Sequence, residues 1–398
     1  MSMQVSYKKQ IGFFLIIFFM MLVITEITIR YIEVIEPTCM FTKSELFSNY
    51  GFLEKHKMCD EYTSLEFDNA LPFAMLKPSQ IGEFVNINSD GFRGGEIQFS
   101  EDTYKIFFLG GSTAFGSVTT SDETTIPGQI EKKLIERGFN VKVVNAGVSS
   151  ATTIDELYIL EEKILKFNPN MVIMYDGWND VHHIDKLKFQ ISYSEYLKNN
   201  HYANMDSVGI NFDDDIKDVN NIEKQIIEPV KTKTGIIKFF NEINYKTGLG
   251  IALYFADIIY KGNTPDLSQN ISFEKLHKIE IAMEENWSKA CKLGEIHEFQ
   301  TVNIIQPILG TSDRIIHSDE RVLLSSGEHA KYLKNLKLDE KNLPCKNIID
   351  LRNMLENENE ILYYFDLGHM TDFGYEIVAN KITEKIIPLI ENDLINLV

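Results

Sequence analysis

The sequence predicts an α/β protein whose parallel sheet is covered by helices on both faces. Three short apolar runs recur along the chain, Lys105 to Leu109 (KIFFL), Val141 to Asn145 (VKVVN) and Met171 to Tyr175 (MVIMY). Longer segments of helical periodicity separate them, and Gly110, Asn145 and Asp176 mark their carboxyl ends. Strands joined through helices must run parallel, because a parallel pair needs a crossover connection. Runs that are apolar at nearly every position are buried on both faces, which calls for two covering layers.

Taken in order, the chain begins with Lys8 and Lys9 ahead of an uncharged run from Ile11 to Thr25, extended past Glu26 by Ile27 and Ile29. A helix crosses the hydrocarbon core with about 20 apolar residues and a minimum near 17. Residues 11–29 therefore read as a transmembrane anchor. The following stretch, TEITIRYIEVIE, is bulky and charged where a cleavable signal would carry small residues. The basic flank places residues 1–10 in the cytoplasm as a tail and the chain beyond residue 30 outside. Residues 30–103 are turn-rich, with Pro37, Pro72, Pro78 and the loop Asn88 to Gly94, and read as an extracytoplasmic stalk and lead-in.

The α/β region is expected over residues 104–398. After the first strand, Pro127 suits a first helical turn, Ile126, Ile130 and Leu134 share a face, and Gly138 fits a C-terminal cap. Ile154, Leu157 and Ile164 mark the next helix, stopped at Asn168-Pro169. Residues 182–272 break the rhythm and read as an insertion. A long helix follows, with Leu276, Ile279, Met283, Trp287 and Ala290 on one face, then strands at Thr301 to Gln306 and Asn347 to Leu351. The last helix starts near Phe373 and buries Tyr375, Val378, Ile382 and Ile386.

The chain has 398 residues and a formal charge of −19, with no basic run able to track a phosphate backbone, so nucleic acid is not an expected partner. Cys39, Cys59, Cys291 and Cys345 show no metal-ligand spacing, and an exterior location allows two disulfides. Three connectivities exist, of which Cys39 with Cys59 and Cys291 with Cys345 keeps each pair within one region. Buried free thiols are the alternative. Two sequons, at Asn270 and Asn286, would face the same side. His182-His183 with Asp180 and Asp185 reads as a solvated loop or pocket rim rather than a metal site, since no third ligand cluster at metal spacing accompanies it.

In open α/β sheets the chemistry gathers beyond the carboxyl ends of the strands. Those ends carry Gly110-Gly-Ser112, Asn145-Ala-Gly147 and Asp176-Gly-Trp-Asn179-Asp180, and the loop before the last helix carries Asp366 and His369. The glycine-rich turn lacks the Lys of a phosphate-binding loop, the G-x-G-x-x-G of a dinucleotide site and the last Gly of G-x-S-x-G. What remains is a serine after two glycines, exposed by a sharp turn. A hydroxyl needs a base to attack an acyl carbon. His369 titrates near neutrality, and Asp366, three residues earlier, can fix its tautomer. The Ser112 N–H, the Gly147 N–H and the Asn179 amide can receive the developing oxyanion.

Ser112, Gly147, Asn179 and His369, in this order, resemble the SGNH hydrolases, also called the GDSL esterase/lipase superfamily. Asp366-x-x-His369 and Gly177-Trp-Asn179-Asp180 resemble two of that family's blocks, and Gly111 stands where many members carry Asp. The resemblance covers roughly residues 104–184 and 300–390. It implies a three-layer flavodoxin-like parallel sheet, a catalytic triad of Ser112, Asp366 and His369, an oxyanion hole of Ser112, Gly147 and Asn179, and no cofactor or metal. Together with the anchor it implies a membrane-bound, extracytoplasmic ester hydrolase acting on O-acyl groups of envelope glycans or on lipid esters. An O-acyltransferase with the same triad and a non-catalytic binding or assembly protein on this scaffold are the alternatives.

Overall fold

The apolar runs assemble into one parallel sheet in the computed structural model, which describes residues 6–35, 41, 47–68, 75–182, 273–314, 329–338, 343–357, 361 and 363–396. The expected insertion, from residue 183 to 272, lies outside the described residues. Two compact units are distinguished: Met1–Lys43 with Val208–Gln269, and Ser44–Ser207 with Asn270–Val398.

In the first unit, helix α1 runs over Tyr7–Ile35. Its segment Tyr7–Thr25 is long and apolar enough to cross a membrane, a property that a signal sequence near an N-terminus shares.

The second unit opens with α2, Phe52–Thr63. The Glu61 carboxylate on this helix accepts the backbone N–H groups of Glu83, Phe84 and Val85 and so holds the lead-in against it. From Met75 onward the segment expected as stalk and lead-in packs onto the sheet. Asn88 closes the loop by accepting from the N–H groups of Asp90 and Phe92 through Oδ1, both at 3.0 Å. Phe92 is buried, edge-on to Phe107.

The α/β core follows as β1 (Tyr104–Gly110), α3 (Ser112–Phe115), α4 (Ile126–Glu136), β2 (Val141–Asn145), α5 (Thr153–Ile159), β3 (Met171–Asp176), α6 (Trp178–His182), α7 (Phe273–His297), β4 (Gln300–Ile305), α8 (His329–Asn335), β5 (Asn347–Asp350) and α9 (Asp372–Asn396). The sheet order is β2-β1-β3-β4-β5, all pairs parallel. This is the flavodoxin-like order, with the topological switch between β1 and β3.

The pleat divides each strand between two cores. Ile106 and Phe108 face α4 and α9, together with Val143, Ile173 and Val302. Phe107 and Leu109 face α5 and α7, together with Val172, Met174 and Trp287. Tyr375, Val378, Ala379, Ile382, Ile386 and Ile390 of α9 are all buried, each of the large ones contributing roughly 1.5–3 kcal/mol. The expected face of α7 is buried as well.

Two expectations change in detail. The helix carrying Ile154 and Ile164 is regular only to Ile159, then widens into a π-turn over Leu160–Ile164 and a 3₁₀ turn over Leu165–Phe167. The wide turn keeps both Leu160 and Ile164 buried. Asn286 is buried and donates to the Thr153 hydroxyl at 3.1 Å, so the second sequon offers no accessible amide. Cys291 and Cys345 form a disulfide. Cys59 is also disulfide-bonded, while Cys39 lies outside the described residues.

Candidate active site

The turn after β1 works because of two glycines. Gly110 has φ 153°, and a Cβ there would meet the Ala114 Cβ at 2.5 Å. A Cβ on Gly111 would lie 2.0 Å from Asn179 Nδ2, so only glycine lets the third strand's loop approach the residue before Ser112. Ser112 then opens the one-turn helix α3, which Gly116 ends in the left-handed region at φ 85°.

His369 arrives from the loop between β5 and α9. That loop is braced by bonds from Thr371 N to the Tyr363 carbonyl, from Phe365 N to the His369 carbonyl and from Leu309 N to the Leu367 carbonyl. Its far end is held by Asp372, which accepts from Thr120 N at 3.2 Å and from the Thr120 hydroxyl. His369 Nε2 lies 2.8 Å from Ser112 Oγ, and Nδ1 lies 2.8 Å from Asp366 Oδ2. The other Asp366 oxygen accepts the N–H groups of Gly368 and His369 at 2.8 and 2.7 Å. All three side chains are half-buried.

The electrostatics of the pair oppose burial. Burial would raise the Asp366 pKa, but the facing His369 ring and the two backbone N–H donors hold it down at about 2. Burial would lower His369, and the Asp366 charge and hydrogen bond outweigh it, so the imidazole titrates above its ordinary 6.5. A carboxylate fixed in its ionised form accepts the Nδ1 proton and leaves Nε2 as the acceptor toward Ser112.

Asn179 lies in α6, which begins after Gly177; the Gly177 φ of 124° favours glycine, and a Cβ there would press on a Leu333 methyl at 2.7 Å. Asn179 Nδ2 donates one hydrogen to the Ala151 carbonyl at 2.7 Å, which orients the amide and leaves its second hydrogen for another acceptor. Asp180 secures this arrangement, accepting Thr153 N, the Thr153 hydroxyl and Gly177 N.

Gly147, after β2, has its N–H directed to Asn145 Oδ1 at 3.0 Å. The position requires glycine because a Cβ would meet Phe115 N at 2.4 Å and the Ala114 carbonyl carbon at 2.8 Å. Gly147 thus packs against the back of α3.

Sequence reasoning gives no sign of two further features. Below the Asn179 loop, the Asp176 and Glu156 carboxyls meet in the interior, with Trp287 Nε1 donating to Asp176 Oδ2 at 2.7 Å. Burial, reinforced by neighbouring acids, pushes both upward. Arg93, in the lead-in, is wholly buried beside α3. It lies within the loop Asn88 to Gly94, whose sequence marks a turn but no contact with α3. Of the histidine–aspartate loop, His183 and Asp185 lie outside the described residues. A cavity of about 370 Å³, lined by Gln300, Asn347 and the Cys291–Cys345 bridge, opens at the amino ends of β4 and β5, at the opposite end of the sheet from Ser112.

No family model matches the chain, and no curated protein matches it. Among solved structures it is similar to an acetyl xylan esterase at 15% identity and TM-score 0.37, covering 71% of this chain and 100% of that one. It is also similar to TesA, at 9% identity and TM-score 0.37 over 72% and 99% of the two chains. An acetylxylan esterase from Geobacillus stearothermophilus is similar at 12% identity and TM-score 0.35, over 71% and 94%.

Proposed function

We propose that the chain is a serine ester hydrolase of the SGNH type that works through an acyl-enzyme intermediate. One observation carries the reading: residues 257 positions apart, Ser112 and His369, meet oxygen to nitrogen at 2.8 Å, with Asp366 bound to the opposite ring nitrogen. A serine that only turned a loop would need neither partner.

In the proposed reaction His369 Nε2 takes the Ser112 proton as Oγ attacks the acyl carbon of an ester. The oxyanion is met by the Ser112 N–H and the second Asn179 hydrogen, with the Gly147 N–H joining where it is shared with Asn145 Oδ1. Collapse expels the alcohol, which takes the proton from His369. Water, deprotonated by the same imidazole, then attacks the acyl-serine, and the carboxylic acid leaves as Oγ regains its proton. Asp366 stays ionised throughout.

The substrate class is an ester-bearing glycan or lipid of the cell envelope, in keeping with an N-terminal helix that anchors the protein and places the α/β unit outside the membrane. Ser112→Ala is expected to abolish fluorophosphonate labelling and hydrolysis of p-nitrophenyl acetate while leaving the thermal transition in place. Undiminished hydrolysis by this variant would sink the mechanism. Adding a glycan acceptor and finding the acyl group on it instead of in water would turn the assignment to acyl transfer. Protease added to cells with a permeabilised outer layer is expected to digest the α/β unit, and protection would reverse the topology.

A further inference from the structure

Helix α3 has four residues, too few to hold its own geometry, since a single turn fixes several dihedrals for one hydrogen bond. Its direction sets where Ser112 Oγ lies relative to His369. Something outside the helix must therefore fix it, and the residue that meets its far end is Arg93.

Arg93 comes from the lead-in. Its backbone N–H donates to the Asn145 carbonyl at 3.1 Å, which joins the segment to the carboxyl end of β2, the edge strand. Its guanidinium then reaches under α3. Nη1 donates to the carbonyls of Phe115 and Gly116 at 2.8 and 2.7 Å, the last two of the turn that begins at Ser112. Nη2 donates to the Tyr62 hydroxyl, the Phe84 carbonyl and the Ser121 carbonyl, and Nε donates to Asp122 at 2.8 Å. The guanidinium carbon lies 4.8 Å from the centre of the Phe115 ring. Tyr62 adds its own hydroxyl to the Gly116 and Thr119 carbonyls. Asn145 completes the frame, donating to the Phe115 carbonyl while accepting the Gly147 N–H.

We propose that Arg93 is a positioning residue for the nucleophile: its guanidinium fixes the carboxyl end of α3 against the edge of the sheet and so sets the line along which Ser112 meets His369. The proposal rests on Ser112 being the nucleophile. A cation at a helix C-terminus is favourable in itself, and the planar fork lets one side chain hold adjacent carbonyls and a carboxylate in a single geometry. Lysine carries the charge but has no fork, so it can balance Asp122 without holding both carbonyls. The lead-in is on this account part of the active site's frame.

The test uses the full-length protein in detergent. Arg93→Lys keeps a charge beside Asp122, and Tyr62→Phe keeps the ring while removing one hydroxyl. Arg93→Lys is expected to retain a cooperative thermal transition and to lower kcat for p-nitrophenyl acetate by roughly tenfold to 10²-fold, with KM within about twofold, the cost of misplacing a reacting atom by about 1 Å. Tyr62→Phe should give a smaller fall in the same parameter. The acidic limb of the pH profile should not move, because the Asp366–His369 pair sits on another loop. A second readout does not require ester hydrolysis: in a Ser112→Cys background, the rate at which iodoacetamide alkylates the introduced thiol should fall by a similar factor on adding Arg93→Lys. An unchanged kcat with a lowered thermal transition, a loss confined to KM, or an unchanged alkylation rate would each overturn the proposal. If the parent protein hydrolysed no ester yet alkylation still slowed, the hydrolase reading would fail and the positioning role would stand.

Discussion

Gly147→Ala separates two reasons for a glycine behind α3. The Gly147 backbone is outside the left-handed region, so alanine adopts it without strain, and it retains the N–H. Its Cβ, however, would stand 2.4 Å from Phe115 N, about 1 Å inside ordinary van der Waals contact. The atoms in the way are backbone atoms of α3, which cannot rotate aside as a side chain could. Either α3 moves, carrying Ser112 with it, or the loop after β2 does. Overpacking of this kind costs about 1–3 kcal/mol, and a displacement near 1 Å lowers kcat by about 10². The assay is kcat and KM on p-nitrophenyl acetate beside a thermal melt. Gly138→Ala serves as comparison, since it has open space around it but a φ of 92°, and should cost about 1–2 kcal/mol with activity intact. If Gly147→Ala kept kcat within twofold and melted with the parent, the steric reasoning would be refuted.

Activity against pH should follow the His369 ring. Because the ring must be neutral to accept the Ser112 proton and Asp366 holds its pKa above 6.5, kcat/KM should rise with pH through an apparent value above 6.5. Asp366→Asn should move that limb down and lower kcat by about 10⁴ through loss of the tautomer, and an unmoved limb would detach Asp366 from the base. The same shifts bear on folding. The raised His369 contributes in full below about 6.5 and less as pH rises through its folded value, whereas Asp366 contributes above about 3.8 and loses its part as pH falls toward 2. Asn179→Ala should lower kcat by about 10²–10³ with little change in KM, and a change confined to KM would make it a ground-state contact. Replacing Cys291 and Cys345 by Ala should cost about 4 kcal/mol for a loop of 54 residues without lowering kcat, since the bridge lies at the opposite end of the sheet; unchanged chemical denaturation would show that it does not restrain the unfolded chain.

Local signals in the chain were enough for the strands, for the buried faces of α4, α7 and α9, and for the candidates Ser112, Asn179, Asp366 and His369. The reason is that burial and turn chemistry repeat with the period of the element that carries them. Asp366 and His369 are three residues apart, so their pairing too was readable from spacing. Tertiary structure alone decided what depends on the path of the chain. The bond between Ser112 and His369 spans 257 positions. Gly147 reads in sequence as a donor, and the close approach of α3, which leaves no room for a Cβ there, has no periodic trace in the sequence. Asn286 reads as a surface sequon, but it is buried and donates to the Thr153 hydroxyl on another helix. Arg93 sits in what composition describes as a lead-in, and neither its charge nor its neighbours in sequence announce the carbonyls it holds. Hydrogen-bond satisfaction of a buried cation is a property of three-dimensional neighbours, and those came from α2, α3 and the loop to α4 at once.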